Sequence, residues 1–273
     1  MPELPEVETV VRGLKEKVLL RNITDVRVYY DHIIAYPSVL EFKKKILHQK
    51  INDIKRYGKW IIFVLDDDYL LSHLRMEGKY FIKNREDTLN RHEHVCIGIG
   101  NGEELRYHDV RKFGKMLLIP KKDIDTIGPF KDMGLEPWDE KLTSSYLEEK
   151  FSKKRMPIKS CLLDQGIIVG IGNIYADEIL FLSHISPLRK ANTLNDLECD
   201  LIISNTRNIL HQAILKGGTT IRSYTSLNGV HGLFQQELFV HGKEGEVCPL
   251  CGDVIIKIKV GGRGTYYCPK CQK

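Results

Sequence analysis

Apolar and polar residues alternate in short runs through the first half of the chain, at 23–29, 51–56, 60–65, 69–74 and 115–119. A period of two turns one face of each run inward and the other toward water, which predicts half-buried strands. Turn signals at Tyr57-Gly58, Asp66-Asp67-Asp68 and Asn101-Gly102 separate the runs, favouring an antiparallel sandwich or barrel over a parallel sheet. Two helices are predicted to flank it. The first starts at Pro5, whose fixed φ and missing N–H suit a first helical position, and its Val7, Val10, Val11 and Leu14 follow helical spacing. The second runs from Ser38, as N-cap, to about His48.

From about Ile124 to Trp138 the pattern is interrupted by Gly128-Pro129, Gly134 and Pro137, and beyond this stretch it becomes helical. A boundary there gives an N-terminal β domain at 1–130, a helical domain at 131–236 and a cysteine-bearing finger at 237–273. Helices are predicted at 142–151, 158–164, 173–182 and 194–216, the last stopped by Gly217-Gly218.

With 273 residues, 42% of them hydrophobic, the chain can bury a substantial core. No apolar run reaches the roughly 18 residues of a spanning helix. The opening Met-Pro-Glu-Leu-Pro-Glu lacks the basic and apolar regions of a signal peptide, so a cytoplasmic protein is expected. The formal charge of +5 admits nucleic acid as a partner, and equally a solvated basic face. Of seven cysteines, Cys96, Cys161 and Cys199 stand singly in apolar surroundings and read as small core residues rather than disulfide partners.

The other four form Cys248-Pro-Leu-Cys251 and Cys268-Pro-Lys-Cys271, separated by 16 residues. Two such knuckles, each presenting two thiolates from a tight turn, match one structural Zn2+ with all four positions filled. Residues 254–260 between them read as a hairpin strand. So short a segment buries little core, and metal binding must supply its folding free energy. From His241 onward six Lys/Arg against three Asp/Glu favour a polyanion.

At the other end, the small side chain of Pro2 permits removal of Met1, leaving a secondary amine whose reference pKa of about 8 keeps much of it nucleophilic. Its adduct with a sugar C1′ is an iminium that cannot shed a proton to become a neutral imine, and so serves as an electron sink for elimination. Glu3 beside the amine and Glu6 one helical turn on suit proton transfer. The same region has a structural reading: Glu6 and Glu8 in a first helical turn complement the dipole.

The string Pro2-Glu-Leu-Pro-Glu-Val-Glu-Thr9 closely resembles the opening of the formamidopyrimidine-DNA glycosylases of the bacterial Fpg/Nei family, and the resemblance runs along essentially the whole chain. It implies an α+β multidomain fold: an N-terminal antiparallel β-sandwich flanked by helices, a helical domain with a helix–two-turn–helix, and a C-terminal zinc ribbon. The implied activity is that of a bifunctional DNA glycosylase and AP lyase, acting as a monomer in base excision repair. Such an enzyme flips 8-oxoguanine or formamidopyrimidines out of damaged double-stranded DNA, excises them through a Schiff base on the N-terminal proline, and cuts the strand by β,δ-elimination.

Carried over residue by residue, the resemblance makes Pro2 the nucleophile and Glu3 the proton donor, with Glu6 beside them. It makes Lys59 a second amine near the lesion, although as an isolated residue Lys59 reads as a solvated turn lysine. Arg263, within Gly261-Gly262-Arg263-Gly264, becomes the hairpin-tip residue that grips the lesion's phosphates and assists δ-elimination; flanking glycines let a backbone approach a phosphate closely. His73-Leu-Arg-Met76 and Asp109-Val-Arg111-Lys-Phe113 resemble the two intercalation segments. There Met76 fills the vacated space, Arg111 hydrogen-bonds the orphaned cytosine and Phe113 wedges the stack. Taken singly, Met76 and Phe113 read as core.

Val169-Gly-Ile-Gly172-Asn173 resembles the helix–two-turn–helix, with Asn173 capping the next helix and free N–H groups binding phosphate; a simple helix hairpin is the alternative. Arg155, Lys159 and His92 resemble DNA-contacting positions. Thr219, Thr220, Ile221, Arg222, Ser223 and Tyr224 resemble the loop over the everted base, or else an ordinary helix-ending loop. One departure is His241-Gly-Lys243 where the family usually shows Tyr-Gly-Arg. Endonuclease VIII, the sibling that removes oxidised pyrimidines, is disfavoured by Leu4, Arg111 and Phe113. A non-enzymatic zinc-ribbon DNA-binding protein offers no reason for Pro2, Glu3 and Lys59 together.

Overall fold

The computed structural model describes residues 1–219 and 232–273 and falls into two compact units. The first is Met1–Lys131 with the described ends of 217–232, the second Asp132–Lys216 with Leu233–Lys273. No described helix is long and apolar enough to cross a membrane.

In the first unit, α1 (Leu4–Val18) carries Pro5 in its first turn, where the missing N–H costs nothing, and buries Val7, Val10, Val11 and Leu14 as its spacing predicts. In α2 (Val39–Ile46) the Ser38 hydroxyl accepts the Glu41 N–H at 3.3 Å, the expected N-cap. Nine strands follow the chain: β1 (Asp25–Val28), β2 (Ile34–Tyr36), β3 (Asp53–Tyr57), β4 (Trp60–Val64), β5 (Asp68–His73), β6 (Lys79–Asn84), β7 (Glu93–Gly98), β8 (Glu103–His108) and β9 (Lys115–Pro120). They form a four-stranded sheet β1-β7-β8-β6 and a five-stranded sheet β2-β9-β5-β4-β3. Inward residues of both sheets, with Phe42, Ile46 and the buried face of α1, make one core.

Two features depart from the sequence pattern. Strand β2 runs parallel to β9, because the chain crosses from the first sheet to the second after β1 and no hairpin sets its direction. Strands β6, β7 and β8 fall outside the alternating runs. Every residue of β7 is buried, Glu93 and His94 included, so polarity no longer marks an outward face. Its charges are matched inside the sheet: Arg106, 1% exposed, meets Glu93 at 3.0 Å and Glu104 at 3.1 Å and donates to the carbonyls of Asn84 and Asp87, both at 2.9 Å. The unit closes with α3 (Ile124–Ile127). Just beyond it, the Phe130 ring stands edge-on to Tyr57 and Trp60.

The second unit holds α4 (Ser144–Phe151), α5 (Ile158–Leu162), α6 (Asn173–Leu182) and α7 (Asp196–Leu215), followed by the hairpin β10 (Ile256–Val260) and β11 (Arg263–Tyr267). Helices α4 and α7 start two residues later than the apolar pattern suggests, since Thr143 and Asn195 cap them; Asn195 and Glu198 form a reciprocal capping box, each bond 3.0 Å. Cys161 and Cys199 are buried here, and Cys96 in β7, as small core residues.

Replacing Arg106 would strand two buried carboxylates. Arg106→Ala is expected to cost about 3–5 kcal/mol in urea unfolding; a loss below 1 kcal/mol would show that water reaches the site.

Candidate active site and nucleic-acid interface

The N-terminal strand of chemistry is built around α1. Pro2, Glu3 and Glu6 are all buried. The Glu6 carboxylate accepts the Glu3 N–H at 2.8 Å through one oxygen; through the other it accepts the Thr219 N–H at 2.8 Å and hydroxyl at 3.1 Å. A Cβ on Gly218 would lie 2.6 Å from that second oxygen, so the approach requires glycine. Thr219 is thereby fixed to the head of α1. Thr220, Ile221, Arg222, Ser223 and Tyr224 lie outside the described residues.

Gly58 and Lys59 make the two-residue turn between β3 and β4, with Tyr57 paired to Trp60 and Gly58 at φ 54°. Lys59 is only 5% exposed, so it is no solvated turn lysine. The turn is tied to the helix by Arg56, which donates to Glu8 of α1 at 3.0 Å and to the Gly58 carbonyl at 3.2 Å. Glu8 thus holds the hairpin as well as meeting the helix dipole.

The two intercalation segments lie in the same unit. Met76 is half-buried, whereas Arg111 and Phe113 are exposed, Phe113 by 52%, so the core reading of Phe113 fails. The Arg111 guanidinium lies 4.8 Å above the Phe113 ring. The Asp109 carboxylate accepts the N–H groups of Arg111, Phe113 and Gly114 at 2.8–3.0 Å. His92 is half-buried, its ring edge-on to His108 and its Nε2 accepting from Arg91 at 3.0 Å.

Three expectations change. His73 is buried against Trp60, and its Nδ1 accepts the N–H of Arg75 at 3.0 Å. Burial, with the nearby charges of Arg75, Lys59 and Lys115, pulls its pKa down to about 3. A neutral ring engaged at Nδ1 holds the Met76 loop. Lys159 is wholly buried, its ammonium 2.7 Å from Asp177 and donating to Thr265 Oγ1 at 2.8 Å and the Gly264 carbonyl at 3.1 Å. It fastens the terminal hairpin and cannot face DNA. Asn173 does not cap α6, whose N-cap is Gly172; its side-chain amide donates instead to the Gly264 carbonyl at 2.9 Å. Arg155 is exposed.

The hairpin turn presents Arg263 to solvent behind Gly261 and Gly262, at φ 55° and 79°. A Cβ on Gly261 would sit 2.6 Å from Ser160 Oγ, so the turn lies close on α5. At its base the four sulfurs of Cys248, Cys251, Cys268 and Cys271 lie within 4.8 Å of one another, with 3.9 Å between Cys248 and Cys271 and 3.5 Å between Cys251 and Cys268. A tetrahedron with Zn–S of about 2.3 Å has edges of about 3.8 Å. Burial pushes the Cys268 and Cys271 thiols up while the Asp253 backbone brings Cys251 down to about 7, a crowding of like groups that a divalent cation relieves.

His241 and Lys243, the departures from the usual pattern, sit beside this finger. His241 Nδ1 lies 2.7 Å from Asp177 and its ring is edge-on to Tyr266. Glu178 accepts the N–H groups of Phe239, Val240 and His241 at 2.7–3.0 Å.

Residues 1–116 match the formamidopyrimidine-DNA glycosylase N-terminal domain, 133–225 the formamidopyrimidine-DNA glycosylase H2TH domain, and 245–273 the zinc finger found in FPG and IleRS. A formamidopyrimidine-DNA glycosylase of Cytobacillus firmus is 45% identical over 273 residues, 100% of both chains. The chain belongs to the formamidopyrimidine-DNA glycosylase family. It is accordingly a DNA repair glycosylase, and its four clustered cysteines are the ligands of a structural zinc. Its fold is that of a Lactococcus lactis Fpg mutant bound to Fapy-dG-containing DNA, with TM-score 0.94, 40% identity and 100% of both chains covered. A complex of Lactococcus lactis Fpg with abasic-site DNA gives 0.93, 39% and 99% of both chains.

In this glycosylase, sequence reasoning missed Arg56, Asp109, Asp177 and Glu178 as holders of the site. Asp177 and Glu178 did carry a signal: two acids on an otherwise apolar helix that is buried nearly all round.

The depressed pKa of His73 makes stability fall with acid. The unfolded ring takes a proton as pH drops through 6.5, whereas the folded ring stays neutral to about 3. This contribution is therefore complete above pH 6.5 and is lost as pH falls toward 3. Between pH 6.5 and 5.5 the wild type should lose about 1 kcal/mol more unfolding free energy than His73→Asn; equal losses would mean His73 titrates normally.

Proposed function

We propose that this glycosylase excises oxidised purines, 8-oxoguanine and formamidopyrimidines, from double-stranded DNA in the cytoplasm and cleaves the strand by β,δ-elimination through a covalent intermediate on Pro2. The observation that carries this reading is the head of α1. There Pro2 and Glu3 are buried together, and the Glu6 carboxylate links the Glu3 N–H to Thr219. With Met1 removed, the Pro2 nitrogen bonds to C1′ as the C1′–base bond breaks, and the base leaves with a proton supplied by Glu3. The proton on the alkylated Pro2 nitrogen passes to O4′ as the C1′–O4′ bond breaks, giving the iminium; loss of a C2′ proton sends its electron pair toward the nitrogen, and return of that pair forms C2′=C3′ as the 3′ phosphate departs with the C3′–O pair. The buried Lys59 directly precedes Trp60, which pairs with His73 across β4 and β5, and in this reading its amine serves the elimination steps. Arg263, exposed on the hairpin turn, grips the lesion's phosphates for δ-elimination. Arg155 and the start of α6 around Asn173 contribute further phosphate contacts.

Flipping a purine leaves a cytosine whose O2 and N3 acceptors are unsatisfied. Arg111 is a donor-only group suited to both, while adenine presents a donor at its exocyclic amine. Met76 and Phe113 fill and wedge the gap. The exposure of Phe113 in the free protein supports this, since a buried ring could not enter the stack. The relative named Fpg and bound to Fapy-dG-containing DNA supports the lesion class.

Borohydride reduction on an 8-oxoguanine·cytosine duplex is expected to yield a protein–DNA adduct mapping to the N-terminal peptide; an adduct chiefly on an internal lysine overturns the Pro2 assignment. Arg111→Ala is expected to lose roughly 1–3 kcal/mol of discrimination for cytosine over adenine in single-turnover excision. Full retention of the preference would make Arg111 a phosphate or structural contact.

A further inference from the structure

We propose that Asp109 and Tyr107 are positioning residues that lock the Met76 loop and the Arg111–Phe113 loop into one unit, so that wedging and opposite-base reading are set together. The proposal rests on the reading of Arg111 and Phe113 given above.

Asp109 is fully buried, and its carboxylate sits inside the loop it begins. One oxygen accepts the Arg111 N–H at 3.0 Å; the other accepts the N–H groups of Phe113 and Gly114 at 2.9 and 2.8 Å, with the Tyr107 hydroxyl 3.4 Å away. Arg111, Lys112 and Phe113 are all exposed, so the loop's shape rests on this carboxylate rather than on buried side chains. The carboxylate is itself anchored: the Asp109 N–H donates to the His92 carbonyl at 2.9 Å, and His94 Nε2 donates to the Asp109 carbonyl at 2.8 Å.

The Tyr107 hydroxyl joins this loop to the other. A Cβ placed on Gly114 would lie 1.7 Å from the hydroxyl oxygen, and one placed on Gly78 would lie 2.3 Å from it. Gly114 ends the Arg111 loop; Gly78 ends the Met76 loop, whose turn is closed by the Gly78 N–H on the Leu74 carbonyl at 3.0 Å. Both loops therefore close on one buried oxygen, which the Asp109 carboxylate faces from the third side. In a close-packed interior a shift of either glycine must move the hydroxyl, and with it the other loop.

An amide at 109 keeps the shape but has one acceptor oxygen, so its NH2 group faces at least one backbone N–H as donor against donor. The test compares wild type, Asp109→Asn, Tyr107→Phe and Arg111→Ala as full chains. Amide hydrogen exchange in Asp109→Asn and in Tyr107→Phe should quicken at 74–78 and 110–114 together, where a mere turn cap would affect 110–114 alone. In single-turnover excision of 8-oxoguanine, Asp109→Asn should lower the cytosine-to-adenine rate ratio by about tenfold. Tyr107→Phe should lower it by less, since the backbone bonds remain. Unchanged exchange at 74–78 in both variants overturns the coupling whatever Arg111 does. An unchanged ratio in Asp109→Asn, beside a collapsed one in Arg111→Ala, overturns its effect on base reading. If Arg111→Ala itself keeps the ratio, the opposite-base reading fails while the exchange result still decides the coupling. Should Asp109→Asn not fold, Tyr107→Phe decides both points.

Discussion

A buried carboxylate that collects backbone N–H groups from irregular chain is the interaction on which both halves of the site depend. Loops cannot satisfy their own amides as helices and sheets do, and each amide taken from water must find an acceptor. Here Glu6 takes those of Glu3 and Thr219, Asp109 those of Arg111, Phe113 and Gly114, and Glu178 those of Phe239, Val240 and His241. A carboxyl group offers two oxygens with several lone pairs, so one side chain can receive two or three such amides at once. Segments with little apolar surface thus acquire one shape, and the side chains they carry acquire fixed positions.

The same logic explains which parts of the molecule were legible in the sequence. Strands β3, β4 and β9 and the helices α1 and α2 follow apolar periodicity, because most of their polar residues face water or a helix end, whereas β5 and α6 were legible as apolar runs although His73, Asp177 and Glu178 within them are buried. The cysteine knuckles were legible because metal ligation constrains spacing directly. Strands β6, β7 and β8 were not, since Arg106, Glu93 and Glu104 are buried as a matched set and a charged residue in sequence reads as an outward one. Lys159 misled for the same reason: a basic residue in a motif suggests a phosphate, and only burial shows that its partner is internal. Phe113 shows the opposite case: taken singly an aromatic residue reads as core, and only its motif pointed to the exposed position that it has.

Around the zinc finger, Lys159 and Asp177 form a fully buried pair to which His241 adds a third polar group on the far carboxylate oxygen. Such a pair is costly to desolvate and contributes position more than stability. What it positions is β11: the Gly264 carbonyl receives both Lys159 and Asn173, one residue from Arg263. The replacement of the usual tyrosine by His241 is therefore absorbed by Asp177 and Tyr266 within this packing.

The guanidinium of Arg111 lying on the Phe113 ring gives the free protein an internal stand-in for its substrate. Each group occupies the place that a nucleobase takes on the proposed reading, at a strength of about 0.5–1 kcal/mol for an exposed cation–π pair. Intact duplex, whose stacking must be broken before it can compete, gains little by displacing it. On the proposed reading the cost of displacing this pair is the same whichever duplex arrives, so it keeps both side chains posed in the free protein and leaves discrimination to the ease with which the base pair opens.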